Sequence, residues 1–237
     1  MSWKNACRVI LIGMLVCSAA LRAQEGAADD RCASVAQIGQ VLLTVTSDAA
    51  CKLSVNREPH GALVANQPQT VMVSADEQSV ECTAPDGSES ARDEQRLGAG
   101  CGDVGFTVAE RWRRFKAEKN GTVRDTTTGV LWKASDNGGD TDWESAKKYC
   151  QAQGARLPGR DELKALHDES GALYTSCGDA YCRVSRKLRL SGRFFWSSTT
   201  FEGDQVFVVG FTGDRPTVQS VESITAKDVR ALCVVGS

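Results

Sequence analysis

The chain has 237 residues, 41% of them hydrophobic and 24% charged, with ten cysteines and five tryptophans, a composition that excludes disordered and fibrous classes. Its formal net charge is −2, and because Lys4, Arg8 and Arg22 are the only charges in residues 1–23, the remainder holds 30 acidic against 25 basic residues. A general nucleic-acid binder carries a basic balance, so that class is excluded too.

Residues 1–23 read as a signal peptide. Met1 to Arg8 is short and cationic, Val9 to Leu21 is apolar, and Ser18, Ala19, Ala20 and Ala23 supply small residues for cleavage near Ala23. The apolar run of about 13 residues falls short of the roughly 20 that a membrane-spanning helix needs, and no second run follows. The expected product is periplasmic or secreted, without a transmembrane segment. Lipidation at Cys17 is not expected, because Met14, Leu15 and Val16 precede it where a processing site wants small residues.

Beyond residue 23 eight cysteines remain: Cys32, Cys51, Cys82, Cys101, Cys150, Cys177, Cys182 and Cys233. An even count in an oxidising compartment points to disulfides, and eight cysteines allow 105 full pairings. A zinc site would show close Cys-x-x-Cys pairs with histidines beside them. Here the closest pair is Cys177 and Cys182, and the histidines are His60 and His167. No metal and no other cofactor is expected.

Residues 24–104 read as a small all-β, sandwich-like domain. Val41, Leu43 and Val45 alternate with residues of the other face, as do Cys51, Leu53 and Val55, while Val80 and Cys82 flank Glu81. Cys51 and Cys82 fall on the apolar phase of their strands, so a bridge between them inside the sheet fits, leaving Cys32 and Cys101 to close the ends; other pairings of these four remain open. The segment from Leu43 to Val45 through CKLSVNREPHGAL to SVEC resembles a PEGA-type surface β module, without its namesake tetrapeptide. His60, after Pro59, is expected in a turn. Residues 84–104, rich in Gly, Ser, Asp and Glu, read as a loop or linker. Residues 105–119 read as a helical linker, with Arg111, Arg113, Arg114, Lys116 and Lys119 solvated and Trp112 and Phe115 packed.

From Asn120 onward the pattern is more specific. GTVRDTTTGVLW predicts a hairpin turning at Thr126 to Gly129. DTDWESAKKYCQAQG predicts a helix, with Thr141 and Glu144 spaced as a capping box, Trp143, Ala146 and Cys150 along one face, and Gly154 as C-terminal cap. A second helix follows Leu157 and Pro158, with Leu163 and Leu166 toward the core. RFFWSSTT, the apolar QVFVVGF and a last strand VRALCVV complete the chain.

Taken in order, NGTVRDTTTGVLW, WESAKKYC, ARLPGRDELKAL, FFWSSTT and VRALCVVG resemble the Lcl C-terminal domain family, bacterial surface and periplasmic modules related to the C-type lectin fold. The resemblance covers residues 114–236. It departs from the family at Gln153 to Ala155, which replace an aromatic-Trp lead-in, and at Gly159, which stands for a Thr. It implies an α+β architecture in which residues 120–237 form a C-type lectin-like domain with two helices and antiparallel strands. It also implies a Cys150–Cys233 bridge stapling the first helix to the final strand, and a local Cys177–Cys182 clip in the long loop where lectin-like folds commonly bind.

Calcium-dependent sugar binding in such folds resembles a fixed set, Glu-Pro-Asn or Gln-Pro-Asp with Trp-Asn-Asp, and neither triplet occurs here. SDNGGDTD offers Asp136, Asn137, Asp140 and Asp142 but lacks a bidentate Glu at calcium-loop spacing, so these residues are expected to form a turn and cap the following helix. The stronger candidate is RVSRKLRLSGR, which sets Arg183, Arg186, Lys187, Arg189 and Arg193 within eleven residues. With Val184, Leu188 and Leu190 as anchors, Lys187 and Arg189 are expected to project together and to hold sulfate, phosphate or carboxylate groups of a polyanion. Tyr174, Tyr181 and Phe194 would add stacking. The alternative is an edge strand protected by charge. His60 and His167 are expected to be solvated rather than catalytic, since no nucleophile motif accompanies either. Sulfatase-activating oxidases share the lectin-like fold but use reactive cysteines, and eight leaves none over. The expected protein is therefore not an enzyme but an exported binding protein for an anionic glycan or envelope polymer, independent of calcium. The competing expectation is a protein-interaction subunit of an envelope assembly.

Overall fold

Alternation of apolar and polar residues decides the first half of the chain. The computed structural model describes residues 30–203, 205–222 and 228–236, and the signal peptide expected at residues 1–23 lies outside them. Residues 30–37 are helical (α1). Seven strands follow: β1 (Gln40–Ser47), β2 (Cys51–Val55), β3 (Glu58–Leu63), β4 (Gln69–Ser74), β5 (Asp76–Thr83), β6 (Ser90–Leu97) and β7 (Gly100–Phe106). They form a three-stranded sheet in the order β4-β1-β7 and a four-stranded sheet in the order β3-β2-β5-β6. Val41, Leu43, Val45, Leu53, Val55, Val80 and Cys82 are all buried, as a period of two requires.

Three readings of this half need correction. Residues 84–104, expected as linker, contain β6 and β7. Both lie at the edges of their sheets, where charged side chains on the open face are tolerated, so a polar composition did not exclude strands. His60 lies within β3, because the turn comes earlier, at Asn56 and Arg57, both with positive φ as a two-residue hairpin of this hand demands. The helix expected across residues 105–119 is only α2 (Ala109–Arg114) and gives way at Phe115 to a strand.

The second half runs β8 (Phe115–Ala117), β9 (Thr122–Asp125), β10 (Leu131–Lys133), α3 (Trp143–Ala152), β11 (Ala155–Arg156), α4 (Arg160–Leu166), β12 (Thr175–Cys177), β13 (Ala180–Cys182), β14 (Phe194–Thr200), β15 (Gln205–Gly210), β16 (Thr217–Glu222), β17 (Val229–Arg230) and β18 (Val234–Val235). The described residues are thus strand-rich with four helices and several small sheets, an α+β arrangement. β9 and β10 form the expected hairpin, and α3 and α4 stand where their capping and apolar patterns put them. The cap of α3 is Asp142 rather than Thr141: its carboxylate accepts from the Ser145 N–H (2.8 Å), whose bonds hold it below the usual carboxylate range.

The order β16-β15-β14-β17 explains the apolar run QVFVVGF. Phe195 faces Val209 across β14 and β15 and enters a core with Trp132, Leu163, Leu166, Leu173, Leu188 and Phe211; Trp196 faces Val208 and enters a second core with Ala146, Cys150, Leu157 and Cys233. A sheet covered on both faces reads as continuous hydrophobicity. The expected closing strand VRALCVV divides: β17 pairs in parallel with β14, a departure from the antiparallel expectation, while β18 pairs with β10 and β11.

Among the described residues the chain divides into two compact units, one of residues 30–44, Thr70–Glu77 and Arg96–Asp103, the other of Val45–Gln69, Gln78–Gln95 and the chain from Val104 onward. Cys32–Cys101 lies within the first unit; Cys51–Cys82, Cys150–Cys233 and Cys177–Cys182 lie within the second. No described helix is long and apolar enough to cross a membrane. Cys150–Cys233 spans a sequence separation of 83 and ties α3 to the segment between β17 and β18. Replacing both cysteines by alanine is expected to lower unfolding free energy by about 4 kcal/mol, measured by urea denaturation with the other bridges intact; an unchanged midpoint would show that the bridge does not constrain the unfolded chain.

Candidate functional site

Residues 183–193 contain no regular strand, apart from an isolated bridge between Ser135 and Arg189. Their course is set by what they bury: Val184, Ser185 and Leu188 are wholly inaccessible and Leu190 nearly so. The basic residues between these anchors are divided as a result. Arg186, Arg189 and Arg193 are exposed, Arg193 with its guanidinium 5.3 Å from the centroid of the Phe194 ring. Arg183 donates to the Glu169 carbonyl and the Asp214 carboxylate. Lys187 turns inward, so it does not project with Arg189.

The inward turn of Lys187 has a single cause. Glu89, in the segment joining β5 to β6, is fully buried, and its carboxylate accepts from Lys187 Nζ (2.7 Å), the Ser185 hydroxyl (2.5 Å) and the Arg186 N–H (3.1 Å). Lys187 Nζ also donates to the Trp112 carbonyl (3.3 Å). A buried carboxylate without such partners would be expensive, and this one has a cation and two further donors. Nothing in the sequence around Glu89 distinguishes it, since one more acid in a stretch rich in Gly, Ser, Asp and Glu is the signal of a solvated loop.

Next to Arg183 opens a cleft of about 770 Å³, lined by Arg92, Asp93, Glu94, Tyr174, Tyr181 and Asp214 together with residues 105–108, 170–172 and Gly213. β12 and β13 pair so that Tyr181 stands opposite Ser176, and the Cys177–Cys182 bridge closes that hairpin. Gly178 at its tip has φ +70°, and a Cβ there would lie 2.7 Å from the Ser191 carbonyl oxygen, so only glycine fits. Tyr181 stacks on Tyr174 with centroids 5.0 Å apart and planes inclined by 17°, and the Arg92 guanidinium sits 5.0 and 5.2 Å from the two centroids. Burial pushes the Tyr174 hydroxyl up to about 12, so it stays protonated. The sequence drew attention to Tyr181 and Tyr174 but missed Arg92 to Glu94, which it assigned to linker.

The acids of SDNGGDTD are occupied structurally. Asp136 accepts from the Ser191 N–H (2.6 Å), the Ser191 hydroxyl (2.8 Å) and the Gly138 N–H (2.9 Å); Asp140 pairs with Arg230; Asp142 caps α3. Among the described residues no group of three or more His, Cys, Asp or Glu side chains is placed to hold a metal ion.

His167 is buried at the C-terminal end of α4, not solvated as expected, because the loop after β15 covers it: its Nε2 lies 3.0 Å from the Gly213 carbonyl oxygen, to which it donates. Burial holds its imidazole below the ordinary 6.5; Arg183 pushes the same way, against the Gly213 bond, Asp168 and Glu169. His60 lends only its carbonyl, to Gln69 Nε2 (2.7 Å).

Comparison with known proteins gives one match. Residues 121–234 match the family model of the Lcl C-terminal domain, a range that contains α3, α4, the Trp196 core, all of the Trp132 core but Phe115, Cys177–Cys182 and the basic loop. No curated protein and no solved structure matches the chain.

Two outcomes are expected from this geometry. Lys187→Met alone leaves the Glu89 carboxylate buried without its cation and is expected to destabilise by about 3–5 kcal/mol in urea unfolding, whereas Lys187→Met with Glu89→Leu is expected to recover a large part of that loss. Equal destabilisation by the single and the double variant would contradict a buried pair. For His167 the sign is that of a depressed base: below about pH 6.5 the unfolded chain takes up a proton that the folded chain refuses, so stability falls as pH drops from about 7 toward 5. Against the wild type, His167→Gln, which retains an N–H for Gly213, is expected to show a smaller decline across that window.

Proposed function

We propose, from the premise that residues 121–234 are an Lcl C-terminal domain, that this protein acts outside the cytoplasm as a non-catalytic recognition protein of C-type lectin-like fold, gripping an anionic glycan or envelope polymer through residues 183–193 without calcium. The observation that carries this reading is the exposure of Arg186, Arg189 and Arg193, none ion-paired among the described residues, on a loop pinned from within by Glu89, Val184 and Leu188. Guanidinium forks meet sulfate, phosphate and carboxylate oxygens bidentately, and a loop already ordered loses little entropy on binding. Four disulfides suit an oxidising compartment. Asp136, Asp140 and Asp142 are already engaged, which favours binding without calcium. Lys187 and Arg183 support the loop rather than the ligand.

A second reading, an interaction subunit of an envelope assembly, draws on the exposed Phe201 and Val218. The two differ in salt response, since charge contacts are screened within about 10 Å at 0.1 M and an apolar interface is not.

The test is capture of the oxidised protein on heparin and dextran sulfate against plain dextran, at low and high salt, with calcium or chelator. Capture is expected only on the sulfated polymers, weakened by salt and indifferent to chelation, and Arg186→Ala/Arg189→Ala/Arg193→Ala is expected to lower affinity on the order of tenfold or more. Absence of binding to either sulfated polymer would overturn the polyanion reading.

A further inference from the structure

The basic loop leaves unexplained the cleft that Arg183 borders. Tyr181 is 45% exposed, an uncommon setting for a large aromatic whose other neighbours are fixed so firmly: Cys177–Cys182 closes its hairpin, Tyr174 backs its ring and Arg92 lies against both rings. A rigid, accessible aromatic face costs little entropy on binding. The charges around it are already matched in part. Arg92 pairs with Glu94 (2.5 Å) and Arg183 with Asp214, so each guanidinium of the lining is already matched by a carboxylate, while the carboxylate of Asp93, between Arg92 and Glu94 in β6, alternates to the other face of the strand and accepts from Gln95 Nε2 (3.1 Å).

We infer that this cleft is a subsite for an uncharged sugar ring, which stacks its C–H face on Tyr181 and gives its hydroxyl protons to Glu94 and Asp214. The inference deepens the glycan reading above and rests on it: the arginines would take the anionic groups of a polymer and the cleft one of its neutral rings. A sulfate in the cleft would have to displace Glu94 or Asp214 from the arginine it holds, and a further cation would have to compete with Arg92 for the rings. A purely apolar ligand would leave the carboxylates without donors. A pyranose avoids all three conflicts: its C–H groups suit the electron-rich ring face, and each carboxylate oxygen retains acceptor capacity for a hydroxyl.

The test uses the full, oxidised chain and neutral oligosaccharides of glucose, galactose and N-acetylglucosamine, titrated calorimetrically at low and high salt. One of them is expected to bind with an affinity that salt does not change. Tyr181→Ala is expected to weaken it about fivefold or more while Tyr181→Phe preserves it, with near-ultraviolet circular dichroism and the urea midpoint confirming that the variants fold. The Arg186→Ala/Arg189→Ala/Arg193→Ala variant is expected to bind the neutral oligomer as the wild type does. Failure of every neutral oligomer, or equal binding by wild type and Tyr181→Ala, overturns the subsite. If sulfated polymers still bind in that case, the subsite alone falls; if neutral binding through Tyr181 persists while sulfated polymers fail, the subsite stands and the polyanion reading falls.

Discussion

A carboxylate in a low-dielectric interior must be answered by donors, and in this protein the answer to Glu89 decides the direction of a whole loop. Its three partners come from consecutive residues, a hydroxyl of Ser185, an N–H of Arg186 and an ammonium of Lys187. With the backbone of 186 and the side chains of 185 and 187 turned inward, the Arg186 side chain is left to solvent. An exposed arginine and a buried lysine in adjacent positions are therefore one consequence of one buried charge. The same arrangement places the loop's exposed guanidiniums at its rim and its paired groups beneath.

The two cores reinforce this from below. β14 and β15 send alternate residues to opposite faces, and helix α3 is fastened on one of them by reciprocal bonds, Trp143 Nε1 to the Ser197 carbonyl and Trp196 Nε1 to the Thr141 carbonyl, both near 2.8 Å. Two tryptophans thus satisfy their single donors across the α3–β14 junction. On the other face, Arg114 grips Asp125 through both nitrogens (2.9 and 2.6 Å); burial alone would raise that carboxyl, but the guanidinium holds it below the usual range. The hairpin of β9 and β10 is anchored there, and its Trp132 occupies the centre of the larger core.

Much of this was legible in the residues. Periodicity located α3, α4 and the hairpin, and the apolar phase of Cys51 and Cys82 anticipated a bridge that the structure contains. The family resemblance supplied Cys150 with Cys233 and Cys177 with Cys182, the pairs found. What was not legible is long-range. The edge strand β6 carries too much charge to stand out locally, and β7, with three glycines in seven residues, reads as a loop. Glu89 and Lys187 are 98 positions apart, and neither has a local feature that marks a buried pair. Hence a basic run read as one patch is divided: three arginines face outward, Lys187 turns in to Glu89 and Arg183 borders the cleft in a pair with Asp214. The cleft was invisible for the same reason, being assembled from residues 92–94, 105–108, 170–172, 213–214 and Tyr174, Tyr181 and Arg183.

The bridges are nested. Cys32–Cys101 encloses Cys51–Cys82 in sequence, and Cys150–Cys233 encloses Cys177–Cys182. Each outer cysteine must therefore pass over its nearest neighbours to find its partner. A chain that is made from its N-terminus offers Cys32 to Cys51 well before Cys101 exists, and offers Cys150 to Cys177 before Cys233. Oxidation in order of emergence would give the wrong set. Reaching the native one requires that early thiols be held apart or that mispaired bonds be exchanged, so the yield of this protein in a host depends on thiol–disulfide reshuffling as well as on oxidising power.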